Sequence, residues 1–203
     1  MQTTALRTEW RLRCASAFLA ALCIALVTPG LSWAQVPDPP GLDTCLASYG
    51  ATEAQKEAVC DKIIAGRGAE GAILGIVFFS RGRARAGLGR QDDAIADYRL
   101  ALRIFNDAIG TSLASAPLLF QRGLVYQALN QIDQAIIDFS AAIRVDSKAS
   151  YAYVARGSAL TSGKYNDEGA LADFNSALAI APCELGAWLG RSGIDRKSTR
   201  LNS

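Results

Sequence analysis

The sequence predicts an all-α fold of tandem antiparallel helix pairs, and three observations carry that expectation. One pattern recurs three times: Arg81-Gly82, Arg122-Gly123 and Arg156-Gly157 are followed by Ala94, Ala135 and Ala170, and four positions after each Ala by Tyr98, Phe139 and Phe174. The Gly-to-Ala spacing is identical in the first two copies and one position longer in the third. Apolar residues near these landmarks fall at helical spacing, as in Ala94, Ile95, Tyr98, Ala101 and Leu102. Helix start and stop residues bracket the stripes, among them Gly89, Pro117, Asn166 and Pro182.

Taken in order, residues 1–34 read as a secretory signal peptide. Arg7, Arg11 and Arg13 form a positive n-region, and Ala15 to Val27 an apolar h-region. Pro29 and Gly30 break the helix, and Ser32-Trp33-Ala34 flanks a cleavage point before Gln35. The apolar run is short for a membrane span, which needs about 20 residues. Residues 35–50 are a Pro-rich leader, of which Gln35 to Leu42, with Pro37, Pro39 and Pro40, is expected to be extended. Residues 51–74 hold a docking helix and loop. Thr52 caps that helix, Gly66 stops it, and Val59, Cys60, Ile63 and Ile64 share one face.

Residues 75–194 hold the repeats: 75–108, 116–149, 150–184 and a partial copy at 185–194. The first pair opens with a helix from Ile73 to Ala86, and Asp92 or Asp93 caps its second helix. In the next pair, Pro117 sits in a first helical turn after Ser115, and the second helix begins near Asp133 to bury Ala135, Ile136, Phe139, Ala142 and Ile143. The third opens at Ser150, and its second helix presents Ala170, Leu171, Phe174, Ala177 and Leu178 before Pro182. A fourth opens with Trp188, and Arg191-Ser192 stand where Arg-Gly stood before. The interval from Gly82 to Gly123 is longer than that from Gly123 to Gly157, which places an insertion at Ile109 to Ser115. Residues 195–203 lack the pattern and read as the translation of a sequencing-library adapter; on that reading the gene continues past Ile194.

Glycine inside a helix costs about 1 kcal/mol relative to alanine. Its recurrence in register at Gly82, Gly123 and Gly157 therefore implies close approach of a neighbouring helix, with Tyr98, Phe139 and Phe174 as the filling rings. Arg81, Arg122 and Arg156 recur with Asp97, Asp138 and Asp173, which predicts an Arg-to-Asp pair between the two helices of each repeat, worth little if exposed.

Composition narrows the chemistry. The whole chain has Lys+Arg 21 and Asp+Glu 19, net +2; without residues 1–34 and 195–203 the counts fall to 15 and 17, net −2. A body this close to neutral lacks the basic footprint of a nucleic-acid binder. There is no histidine, which removes Ser-His and Cys-His nucleophile pairs and most zinc sites from the visible chain. Gly66 to Gly71 matches G-x-G-x-x-G, but no strand precedes it and no βαβ unit surrounds it. Arg81, Arg83, Arg85 and Arg90 form a basic group that Asp92, Asp93 and Asp97 offset. Cys45 and Cys60 precede the repeats in an exported, disulfide-permissive setting, which makes them a candidate disulfide; Cys183 is the odd one.

The array resembles the tetratricopeptide repeat, whose period of about 34 residues matches the Gly123-to-Gly157 interval. Besides the spacing, Tyr126, Ala128 and Leu129 stand where the family pattern expects a Tyr and apolar residues, and the likeness covers Gly75 to Gly193. The family's terminal Pro survives only as Pro182; Asn106 and Ser147 replace it elsewhere. The resemblance implies a right-handed α-solenoid whose concave face, lined by first helices, holds a partner. Carried over residue by residue, that face is Ile76, Phe79 and Arg83, then Phe120, Leu124 and Gln127, then Tyr151, Val154, Ser158 and Thr161. Relatives that clamp chaperone C-terminal carboxylates use Lys and Asn where this chain has Phe79, Phe120 and Val154, so that clamp is not expected. An apolar groove with Arg83 as its cation suits an extended peptide or a helix with apolar anchors. The function so implied is a non-catalytic protein–protein interaction scaffold of the bacterial envelope, exported and periplasmic. It would need no cofactor or metal, bind no nucleic acid and keep no stable membrane span after signal removal. The alternatives are the N-terminal repeat module of a longer exported enzyme, or a structural role in the envelope through self-association.

Overall fold

The structure is a computed structural model describing residues 40–46, 50–111, 114–163 and 166–201. Residues 1–34 and most of the leader lie outside the described residues. Nine helices and no strand occur among the described residues. They are α1 (Leu42–Leu46), α2 (Glu53–Ala65), α3 (Gly71–Gly87), α4 (Gln91–Thr111), α5 (Ala116–Ala128), α6 (Ile132–Val145), α7 (Ser150–Gly163), α8 (Asp167–Ile180) and α9 (Leu185–Leu201). They form two compact units, one holding α1–α6 and ending at Ser147, the other beginning at Lys148 and holding α7–α9.

The first unit starts with α1, a helix at the end of the 35–50 leader, where the sequence assigns no element beyond Leu42. Its cause is a local staple. Cys45 and Cys60 form a disulfide with Cα atoms 5.1 Å apart. Both cysteines are buried beside Ile63, Ala69 and Val77, with Leu42 and Val59 packed against them. A bridge across a sequence separation of 15 stabilises by about 3 kcal/mol, mainly by restricting the unfolded chain. Helix α2 begins where the sequence places it, because Thr52 and Gln55 cap it reciprocally: the Gln55 backbone N–H donates to Thr52 Oγ1 at 3.2 Å, and the Thr52 N–H to Gln55 Oε1 at 2.8 Å.

Helices α3 and α4 form the first full hairpin, around Phe79, Ala94, Tyr98, Ala101 and Phe105. Helix α4 differs from expectation. It runs to Thr111, past the 75–108 bounds of the first repeat, so the start of the Ile109 to Ser115 insertion is further helix. Asn106 stands where a Pro would end the helix, and Thr111 Oγ1 donates back to the Asp107 carbonyl at 2.9 Å. Phe105, fully buried, anchors this longer helix against Gly75. Helices α5 and α6 make the second hairpin, with Pro117 in the first turn of α5.

In the second unit, α7 and α8 form a hairpin and α9 packs on it. Its core is Ala170, Phe174, Ala177, Leu178, Ala187 and Ile194, joined by Val154 and Trp188. Asn166 caps α8 by accepting from the Gly169 N–H at 2.9 Å. Helix α9 continues past Ile194 to Leu201, through the stretch whose sequence lacks helical periodicity. That stretch contains neither Gly nor Pro, so nothing local stops the helix once α9 has begun. No helix among the described residues is long and apolar enough to cross a membrane.

Candidate functional site

The repeat landmarks form a latch between the helices of each hairpin. On the first helix a glycine lacks the Cβ that would collide with the ring opposite. A Cβ on Gly82 would lie 2.6 Å from Tyr98 Cε1, and one on Gly123 2.5 Å from Phe139 Cε1. On Gly157 it would lie 2.9 Å from Phe174 Cε1. Beside each glycine an arginine grips the aspartate that precedes the ring. Arg122 donates through Nε and Nη2 to both Asp138 oxygens at 2.7 Å. Arg81 does the same to Asp97 at 2.9 and 2.6 Å, and Arg156 to Asp173 at 2.8 and 2.7 Å.

These are the inter-helix pairs that the recurring Arg and Asp predict, and their aspartates are not exposed. Asp97, Asp138 and Asp173 are only 1%, 3% and 4% exposed. The carboxylates sit in the packed hairpin, where losing a partner is costly. The hydrogen bonds to Asp138 and Asp173 hold the Arg122 and Arg156 guanidiniums above their ordinary range, with desolvation opposing. Arg81 is raised as well; its burial works against the charge, and Asp97 and Asp61 outweigh it. Each guanidinium also lies over a ring: Arg81 over Phe78 at 5.2 Å, Arg122 over Tyr126 and Arg156 over Tyr153 both at 5.8 Å.

Helix α2 joins the first latch. Asp61 accepts from Arg81 at 2.6 Å, and Glu57 accepts from Arg85 and Arg90, both at 2.9 Å. Arg85 also reaches Asp97 at 3.0 Å, and Arg90 reaches Asp93 at 2.8 Å. Arg81 and Arg85 are one turn apart on α3 and share a face, so both meet the acidic side of α2. Arg83 lies off that face. It is exposed and makes no ion pair among the described residues. Proximity in sequence offsets this arginine group with Asp92, Asp93 and Asp97 alone. Glu57 and Asp61 complete it in space, and their i,i+4 spacing on α2, which matches that of Arg81 and Arg85, is the signal that points to them.

The sequence-derived partner surface divides between the two units. In the first, α3 and α5 touch. Phe79 is not part of an open surface: it is 7% exposed, in the core, its ring 5.7 Å from Tyr98. The reason is the latch, since Gly82 lets Tyr98 come close enough to cover it. Phe120 stays half-buried with its ring 5.8 Å from Phe139. Ile76 and Leu124 are half-buried against the core, and Gln127 is half-buried. A hollow of about 130 Å³ beside Arg83 is lined also by Leu46, Glu53, Lys56 and Ser80. Helix α1 thus supplies a wall that no sequence signal assigns. In the second unit Tyr151, Val154, Ser158 and Thr161 are half-buried on α7. Val154 packs into the core, and Thr161 Oγ1 donates to the Gly157 carbonyl at 2.9 Å. No cluster of three or more His, Cys, Asp or Glu able to hold a metal occurs among the described residues.

Several solved structures are similar to this chain. A tetratricopeptide repeat domain of Arabidopsis OM64 is 23% identical, covers 63% of this chain and 99% of its own, and superposes with a TM-score of 0.45. The second such domain of human RPAP3, solved in complex with an HSP70 peptide, is 28% identical, with 58% and 92% covered and a TM-score of 0.45. A tetratricopeptide repeat protein from Parabacteroides merdae is 16% identical, with 74% and 55% covered and a TM-score of 0.49. No curated protein matches the chain. Residues 116–148, which span α5 and α6, match the family model described as tetratricopeptide repeat.

Proposed function

We propose that the chain is a non-catalytic protein–protein interaction scaffold whose first helices hold a partner peptide or helix. We place it in the bacterial envelope, exported by residues 1–34 and periplasmic. One observation carries the binding reading. Of the four arginines at 81, 83, 85 and 90, three make ion pairs and Arg83, exposed, makes none among the described residues. It stands on α3 in the hollow lined by Leu46, Glu53, Lys56 and Ser80, and α3 touches α5, which presents Phe120, Leu124 and Gln127 half-exposed. A cation without an ion pair on α3, with half-exposed apolar side chains on the first helices α3 and α5, suits an acidic group flanked by apolar anchors. The anchors are Ile76, Phe120 and Leu124, since Phe79 is withdrawn into the core.

Peptide display against the full chain tests this. The expected outcome is enrichment of peptides carrying an acidic residue near apolar ones, with at least a tenfold loss of affinity on Arg83→Glu. Arg83 is exposed and outside the latch, so that variant keeps its fold. Peptides that bind equally well to Arg83→Glu would remove the reading.

A further inference from the structure

Three donor side chains line the hollow beside α1. Ser80 and Arg83 come from α3, three positions apart on one face, and Lys56 comes from α2. Lys56 is held in place: its Nζ donates to Glu53 Oε1 at 2.9 Å, and its side chain is only 11% exposed. Glu53 is seated in turn against α3, where a Cβ on Gly87 would lie 3.0 Å from Glu53 Cγ. An ammonium has three N–H groups and Glu53 takes one, so Lys56 keeps donors for a further acceptor. Among the described residues Arg83 makes no ion pair and the Ser80 hydroxyl no hydrogen bond, whereas Ser162 and Ser176 turn back to the carbonyl one turn earlier.

Size and charge decide which acceptor fits. At about 130 Å³ the hollow is far larger than the ~10–15 Å³ that one water needs. It therefore admits a charged head group with part of its stem. Leu46, 38% exposed, and Cys45, tied to Cys60, give it an apolar wall for methylenes. Two cations, Lys56 and Arg83, and one carboxylate, Glu53, line it, which leaves a single positive charge over. A carboxylate cancels that charge. A phosphoryl group carries about −1.5 to −2 at pH 7 and would set its excess against Glu53.

We infer that this hollow is the socket for the partner's acidic group, and that the group is a carboxylate side chain held by Arg83, Lys56 and Ser80 rather than a phosphoryl group. The inference rests on the proposed reading of Arg83 as a partner contact and deepens it. Lys56 lies before the repeats and becomes a contact through α2. Glu53 fixes the Lys56 ammonium and, by its own charge, rejects the more highly charged anion.

Nuclear magnetic resonance titration of the full chain with single blocked amino acids tests this. The probe is N-acetyl-glutamate amide, whose side chain carries its only charge, and N-acetyl-phosphoserine amide is the comparison. The expected result is a saturable shift of the Arg83 Nε–H with a millimolar Kd, and at least fivefold weaker binding of the phosphoserine probe. Lys56→Gln should weaken the glutamate probe at least fivefold, and Lys56→Arg should keep most of its affinity. Glu53→Gln removes the carboxylate from the hollow and should reverse the preference, raising affinity for the phosphoserine probe at least fivefold. A gain of that kind cannot come from a frayed α2. No saturable shift, indifference to Lys56→Gln, or an unchanged preference in Glu53→Gln would each overturn the inference. The probes need no selected peptide, so any of these results beside an intact loss of peptide binding in Arg83→Glu would leave the binding reading standing. Glutamate binding in the hollow together with selected peptides that ignore Arg83 would remove that reading, and with it the partner's carboxylate from the socket.

Discussion

Asp138→Ala is expected to lower stability by about 3–4 kcal/mol, more than removal of Asp97 from the first latch. The Asp138 carboxylate is 3% exposed and takes both N–H groups of Arg122 at 2.7 Å. Once it is gone, Arg122 is left with the neutral Asn106 Oδ1 at 2.9 Å and the Tyr126 ring. A part-buried charge then lacks a counter-ion, the case in which breaking a pair costs most. Asp97→Ala should cost less, about 2 kcal/mol, although Asp97 is the more deeply buried. Arg81 keeps Asp61 and Arg85 keeps Glu57, so both guanidiniums stay compensated. Replacing the whole pair, Arg122→Met with Asp138→Leu, should recover most of the loss. Urea unfolding followed by helical ellipticity measures all three. An Asp138→Ala loss no larger than an ordinary surface substitution, about 0.5 kcal/mol, would mean the carboxylate is hydrated rather than latched.

Gly123→Val is the second large effect, a loss of about 2–3 kcal/mol with a specific rescue. Its Cβ would stand 2.5 Å from Phe139 Cε1 and 2.8 Å from Cδ1, and Phe139 is fully buried with no room to withdraw. Overpacking of this kind costs about 1–3 kcal/mol and outweighs the helix propensity gained on losing glycine. Phe139→Leu opens space at the point of collision. The double variant should therefore be less damaged than the two single changes combined, by about 1 kcal/mol or more. Gly110 is the control. A Cβ there meets nothing within 4 Å, so Gly110→Ala near the end of α4 should stabilise slightly. Strict additivity of Gly123→Val and Phe139→Leu would mean the ring and the glycine do not share space.

The hairpins are legible in the sequence because their cause is periodic. Arg-Gly on one helix and Asp-aromatic on the next recur at near-constant spacing, and such spacing is what a repeated helix–helix contact imposes on a sequence. Boundaries set by caps are legible too, as at Thr52 with Gln55 and at Asn166. Helix extensions are not. Gly110 lies within the extended end of α4 without stopping it, and α9 beyond Ile194 carries neither Gly nor Pro, so in neither place does a stop residue mark where the helix ends. Helix α1 is hidden because so short a segment shows no periodicity and its order depends on a disulfide. The burial of Phe79 is hidden for a related reason. Its position on the first helix points to a surface, and only the ring of Tyr98, brought close by Gly82, covers it.

The most direct test of the binding surface is nuclear magnetic resonance titration of the full chain with a display-selected peptide. Shifts are expected to cluster on the Arg83 Nε–H, the Gln127 side-chain amide and the Phe120 ring, with the latch arginines Arg81 and Arg122 unmoved. Shifts confined to α4 and α6, with Arg83 and Gln127 silent, would contradict a partner held by the first helices.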